Sequence, residues 1–147
     1  MNDILAAAGL PGRVRMLPEP APTAPAAARQ LGCPVGAIAN SLVFATGQDE
    51  PVLIMTSGRH RVDLDRVREG YGLELHRATA EFVRAHTGQP IGGVAPVGHP
   101  QPLRTLVDRA LADYEELWAA GGIPHAVFPL SYPDLLLLTN GTEADVA

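Results

Sequence analysis

Side chains that could carry covalent or metal-assisted catalysis are few in this chain, and their spacing does not group them. The five histidines, at positions 60, 76, 86, 99 and 125, form neither a His-Glu-x-x-His pair nor a cluster with cysteine, so no metal is expected. Cys33 is the single thiol. It follows a predicted helix end at Gly32, where the helix dipole disfavours a thiolate, and reads as a small buried apolar residue. No Gly-x-Ser-x-Gly elbow frames Ser41, Ser57 or Ser131, so a serine hydrolase would lack its strained turn. Neither phosphate-cradling pattern, Gly-x-x-x-x-Gly-Lys or a Gly-x-Gly-x-x-Gly between strand and helix, occurs. What is left open is binding by the backbone or acid–base work by a single histidine.

One stretch is suited to it: Gly88-Gln89-Pro90-Ile91-Gly92-Gly93-Val94-Ala95-Pro96-Val97-Gly98-His99. Four glycines and two prolines exclude a helix interior or a central strand. Glycines let a backbone approach a ligand and align successive N–H groups, while prolines restrict the loop. The stretch is therefore either a preformed pocket wall or an ordinary surface connection. His99 ends it, as a ligand-bonding acid or base or as a surface histidine before Pro100; His60, in the turn after Gly58, has the same two readings. Asp108 either caps the turn after its strand or sits in a pocket as an acceptor.

The elements that must position these residues are short. Asn2 to Gly9 predicts a helix and Arg13 to Leu17 an edge strand, followed by a proline-rich linker over residues 18–25. Thr23 caps a helix through Leu31 that Gly32 ends. Ala37 to Thr46 and Val52 to Thr56 form a hairpin around Gly47-Gln48-Asp49-Glu50. Asp63 caps a helix through Glu69, ended by Gly70 and Gly72, and Leu73 to Arg77 is extended. Thr79 starts a helix through His86, with Phe82, Ala78 and Ala85 towards the core, closed by Gly88. Strands follow at Leu103 to Val107, Leu117 to Ala120 and His125 to Pro129, with a helical turn over Arg109 to Tyr114. Ser131-x-x-Asp134 caps a closing helix over Leu135 to Leu138. The pattern is α/β (α+β): a single domain over 1–147 with a mixed, curved five- to seven-stranded sheet flanked by short helices.

Bulk properties agree. At 147 residues, 46% hydrophobic and 18% charged, the chain can bury one core. A net charge of −5 argues against coating nucleic acid non-specifically, although Arg59, Arg61, Arg66 and Arg68 lie within ten residues. Asp63, Asp65 and Glu69 neutralise much of that cluster, so it is a local phosphate contact or a solvated face. No apolar run spans a bilayer and the N-terminus has no secretory pattern, so a cytoplasmic location and no membrane partner are expected.

The glycine stretch resembles the Gly-Gly-x-x-Pro-x-Gly signature of the YbaK/prolyl-tRNA-synthetase-associated domain. Ile38-Ala39-Asn40-Ser41-Leu42-Val43-Phe44 is similar to that family's Ile-x-Lys-Ser-Leu-x-Phe strand. Thr56-Ser57-Gly58-Arg59-His60-Arg61-Val62-Asp63 is similar to its strand, Gly turn and Arg-Val-Asp helix entry. Leu103-Arg104-Thr105-Leu106-Val107-Asp108 and Ala120-Gly121-Gly122 fit in order, so the likeness runs from about Thr23 to Thr139. It implies an editing hydrolase that cleaves the ester of a tRNA mischarged with alanine, serine, threonine or cysteine. Its partners would be the aminoacyl-tRNA acceptor end and, in some members, a synthetase, with no cofactor. By position, Gly92, Gly93 and Pro96 would lie beside the aminoacyl group, Gly98 and His99 would continue the loop, and Ser41 would face the ribose or amino acid. The implied catalytic set is Gly92, Gly93, Ser41 and His99; Asn40, Gly58, Arg59, His60, Arg61, Pro96, Gly98, Gly121 and Gly122 would bind substrate. The family's strand has lysine where this chain has Asn40, whose neutral amide replaces hydrogen bonds but not charge. Either Arg59 or Arg61 supplies that charge, or the substrate differs, or hydrolysis is lost and the chain is a binding module for a tRNA acceptor end or a synthetase. A different small-molecule hydrolase on the same scaffold is a third reading.

Overall fold

The hairpin at the centre of the chain sets the frame. Ile38–Thr46 (β2) and Pro51–Ser57 (β3) pair antiparallel from Ala39↔Ser57 to Ala45↔Pro51. The turn between them closes with Asp49 at φ 59° while the Thr46 hydroxyl accepts from Gln48 and Glu50 N–H. The computed structural model describes residues 4, 14–21, 23–91 and 93–147. The expected Asn2 to Gly9 helix, save Ile4, lies outside them, as do Arg13 and Gly92.

β3 is buried from Val52 to Ser57 because strands flank it on both edges. Arg104–Asp108 (β5) runs parallel to it, and Thr142–Ala144 (β8) parallel to β5. On the far edge of β2, Leu117–Ala120 (β6) pairs in parallel at Ile38 and Ala39, and Leu75–Arg77 (β4) pairs antiparallel from Phe44 to Thr46. Ala126–Leu130 (β7) continues from β6, and Arg15–Met16 (β1) from β7. The mixed sheet thus has eight strands, more than the spacing predicts. The additional one, β8, has the composition Thr-Glu-Ala and little β-propensity. It is held by tertiary contact, with Ala144 and Val146 buried against Val52, Ile54 and Val67.

Helices cover both faces. Ala24–Leu31 (α1) starts at its Thr23 cap and ends at Gly32, whose φ of 68° suits glycine. Its Ala24, Ala27 and Ala28 lie on Ile38, with Trp118 alongside. Leu64–Tyr71 (α2), capped by Asp63, runs through Gly70, so Gly72 alone is the stop. In Ala80–Thr87 (α3) the buried pair is Val83 and Thr87, whereas Phe82 is half-buried against the His86 ring and Ala85 is exposed. The expectation for Phe82 and Ala85 fails because Thr87, one turn from Val83, satisfies its hydroxyl on the Val83 carbonyl and can be buried. Tyr132–Thr139 (α4) starts at its Ser131 cap and packs Leu135 on the opposite face of the sheet with Leu53, Met55, Phe128 and Leu130. Full burial of a leucine such as Leu53 stabilises by about 1.5–3 kcal/mol.

The proline-rich segment is a docked strap rather than a free linker. Leu17 and Ala21 N–H donate to the His125 and Pro124 carbonyls, and the Gln30 amide exchanges two hydrogen bonds with the main chain of Glu19. Gly58 seats α1, because a Cβ there would lie 2.3 Å from the Val35 carbonyl oxygen and 2.8 Å from the Ala24 Cβ. Gly58→Ala should therefore destabilise by about 1–3 kcal/mol through overpacking, a fall in Tm of roughly 2–12 °C. Gly47→Ala, with nothing within 4 Å of the new Cβ, is the control. Equal melting of the two variants would contradict this packing.

Candidate functional site

β2 changes partner along one edge, and the change leaves a gap. Ile38 C=O accepts from Gly58 and Thr46 N–H donates to Glu50, so even-numbered residues of β2 turn their main-chain groups towards β3. Odd-numbered residues turn theirs the other way. Ala39 meets β6 there and Ala45 meets β4, but Ser41 lies between the two ladders. Its N–H and C=O face a break in the sheet that the glycine stretch approaches.

A cavity of about 50 Å³ opens at this break. Asn40, Ser41, Thr23 and Val94 line it, with walls of small residues (Ala24, Ala27, Ala39, Ala119, Ala120 and Ala126) and the half-buried Trp118. None of the described lining residues is ionisable, so the cavity offers hydrogen bonds and shape without fixed charge. The Asn40 side chain makes no hydrogen bond with the described residues, so its amide is available to a ligand. Ser41 Oγ donates to Met55 Sδ at 3.2 Å, a weak contact that a better acceptor can displace. Opposite Asn40 in the β2–β3 register, Thr56 is 1% exposed and its hydroxyl has no partner among the described residues.

The glycine stretch divides here instead of lining one pocket. A Cβ on Gly93 would lie 2.7 Å from the Ile123 carbonyl carbon, so glycine lets this loop press against the chain between β6 and β7. The Gly93 N–H donates to Pro90 O at 3.0 Å and the Ala95 N–H to Gln89 Oε1 at 2.7 Å. The intervening Val94 is 3% exposed, lines the cavity, and leaves its amide without a partner among the described residues. Beyond it, Pro96, Gly98 and His99 line a second cavity of about 190 Å³ with Leu103, Leu138 and Thr139. The structure therefore separates them from Asn40 and Ser41, contrary to the expectation that one wall runs from Gly92 to His99. Two constraints turn the chain away: buried Pro96, and Gly98 in the positive-φ region at 90°.

The other expected residues frame the site at one remove. Gly121 donates to Ala126 O and Gly122 has φ 104°, a tight turn that presents Ala120 and Pro124 to the cavity. Gly58 is a packing contact under α1. Arg59, His60 and Arg61 do not line the cavity. Arg59 is held 2.8 Å from Asp113 and 3.1 Å from the Tyr114 hydroxyl, over whose ring it lies, whereas Arg61 is exposed. Asp108, 2% exposed, lines neither cavity, so of the two roles the sequence left open it takes the cap and adds a buried link to the turn after β3. It caps the turn through Ala110 N–H, and it accepts from Ser57 N–H and from His60 Nδ1 at 2.8 Å. Two polar residues that the motifs do not single out stand behind the site without lining it: Thr56, opposite Asn40 in the β2–β3 pair, and Gln89, which holds Ala95 N–H; for Gln89 the available signal was a long amide side chain at the start of a loop with no strand partner.

His99 donates Nε2–H to Ala95 O at 2.8 Å, and burial holds its pKa below the usual 6.5, the hydrogen bond to Ala95 opposing only in part. The folded chain thus favours neutral His99. Its contribution to stability is fully present above pH 6.5 and is lost as pH falls through the lower folded value. Urea titrations from pH 7.5 to 5 should show a loss of stability that His99→Gln reduces; identical profiles would contradict it.

The residues between 18 and 138 match the aminoacyl-tRNA editing domain model. A solved structure described as a "putative trans-editing enzyme for prolyl tRNA synthetase" is similar at a TM-score of 0.91 and 41% identity, over 99% of this chain and 92% of that one. The Bacillus subtilis protein YwhH is 28% identical over 109 residues, 74% of this chain and 69% of that one. The proline–tRNA ligase of Burkholderia cenocepacia is 32% identical over 96 residues, which cover 62% of this chain but only 17% of the ligase. This chain belongs to the aminoacyl-tRNA editing domain family.

Proposed function

We propose that this chain is a trans-acting aminoacyl-tRNA deacylase that hydrolyses the ester linking a small amino acid, of the alanine, serine, threonine or cysteine class, to the end of a mischarged tRNA. The observation that carries this reading is the neutral, alanine-walled cavity on the open edge of β2, with the unbonded Asn40 amide and Val94 N–H beside it. Its walls of small residues leave room beside Ser41 for a small side chain, which is what an editing site requires. A synthetase separates near-isosteric amino acids by only about 1–3 kcal/mol, so a second sieve must exclude by size.

In this mechanism the ester carbonyl sits at the break in the sheet and Val94 N–H receives its oxygen as negative charge develops. A water, positioned by the neighbouring ribose hydroxyl of the tRNA, attacks the carbonyl carbon. The C–O bond to the ribose then breaks and the proton passes to the departing ribose oxygen. Asn40 hydrogen-bonds the ribose or the aminoacyl group, and Ser41 contributes its hydroxyl and its outward-facing main chain. The approach of the acceptor end falls to exposed cations such as Arg61, since Arg59 is engaged by Asp113.

One observation favours a second reading, in which the domain binds a tRNA end or a synthetase without turnover. Asn40 stands where the strand motif it resembles has lysine, and no cation is among the described residues that line the cavity. Purified chain incubated with a panel of mischarged tRNAs separates the two. Deacylation predicts release of small amino acids above buffer, no release of bulky ones, and a loss of roughly two- to twelvefold in rate for Asn40→Ala, the value of one hydrogen bond. Binding without release, together with hydrolysis gained by Asn40→Lys, would establish the second reading.

A further inference from the structure

The described residues of the loop from Gly88 to His99 join no strand, yet Ala95, fully buried, has both main-chain polar groups satisfied by side chains. Its N–H donates to Gln89 Oε1 at 2.7 Å and its C=O accepts from His99 Nε2 at 2.8 Å. The other end of the same Gln89 amide, Nε2, donates to Val97 O at 3.3 Å. Gln89 is fixed in turn, because its N–H donates to Thr87 Oγ1 at 3.0 Å. That hydroxyl, on a fully buried residue in the last turn of α3, lies 2.7 Å from Val83 O and 3.1 Å from Gln89 O. A side chain at position 89 must therefore accept one main-chain bond and donate another two residues further on. A primary amide does both, a carboxylate only accepts, and a thioether does neither well.

We propose that Gln89 is a positioning residue for the deacylation reaction. By tying Ala95 and Val97 to the end of α3, it fixes the preceding residue, Val94, against the cavity and aims its free amide at the substrate carbonyl. His99 closes the same clamp from the other side. This rests on the deacylase reading. Small displacements of a group that stabilises developing charge cost rate more than binding, so the signature of Gln89 is a fall in kcat at nearly constant KM.

The test uses full-length Gln89→Met and Gln89→Glu, with amide hydrogen exchange at Ala95 measured alongside kcat and KM on the mischarged tRNA that the wild type hydrolyses best. In Gln89→Met, exchange at Ala95 should quicken while β3 stays protected, and kcat should fall about ten- to hundredfold with KM within about threefold. Gln89→Glu keeps the acceptor for Ala95, so exchange there should stay slow and kcat should be intermediate. Slow exchange at Ala95 in Gln89→Met, or fast exchange with unchanged kcat, overturns the proposal. If Gln89→Met loses protection throughout β3, Gln89→Glu decides, and a wild-type kcat overturns it. A wild-type chain that hydrolyses none of the esters refutes the deacylase reading and the positioning role with it, a failure recognised before any substitution is compared.

Discussion

The structure depends on a change of partner along one edge of β2. A strand nine residues long is paired with β3 along nearly its whole length on one side, but on the other side it is shared between β6 and β4, which do not meet. Main-chain groups left at such a break must be hydrated or bound, because an unsatisfied buried N–H or C=O costs as much as a lost hydrogen bond. The fold thus produces an open stretch of backbone at Ser41 in the interior of the sheet, between two ladders. Small residues around it leave space instead of filling it. The alanines at positions 24, 27, 39, 119, 120 and 126 shape the cavity.

The site is accordingly made of backbone and neutral side chains, and its rigidity has to come from elsewhere. Gly93 lets the loop approach the chain around Ile123, the strap at Ala21 is bonded to Pro124, and Gln89 and His99 hold Ala95 from two directions. The glycine loop and the strap therefore meet the turn between β6 and β7 beside the cavity, one by close packing and the other by a main-chain hydrogen bond. Such a frame suits a reaction in which the catalyst contributes orientation and a poised amide rather than a nucleophile.

Elements with strong local signals were legible in the sequence. Thr23, Asp63, Thr79 and Ser131 each cap the helix that follows, and Gly32 and Gly88 end theirs in the left-handed region, as glycine spacing predicts. The hairpin and β6 fall where β-branched and aliphatic runs place them. What could not be read was set by tertiary contact. β8 has no strand-like composition and exists because β5 offers it an edge. Val83 replaces Phe82 in the core because Thr87 can satisfy its hydroxyl within α3. Of the expected site, Asn40 and Ser41 reach the cavity, but Gly93 contributes close approach rather than a free N–H. Pro96, Gly98 and His99 turn into a second cavity. Motif spacing locates a loop; which of its amides remain free depends on partners such as Gln89 that no spacing reveals.

The most direct measurement is the set of 15N shifts induced in the folded chain by a non-hydrolysable alanyl-adenosine analogue. Binding at the break in the sheet should move the amides of Ser41 and Val94 and the side-chain NH2 of Asn40 most, with little change in the turn over Arg59, His60 and Arg61 or around Gly98. Shifts confined to that turn or to the second cavity, with Ser41 and Val94 unmoved, would contradict the assignment of the open edge of β2 as the place where the ester is held.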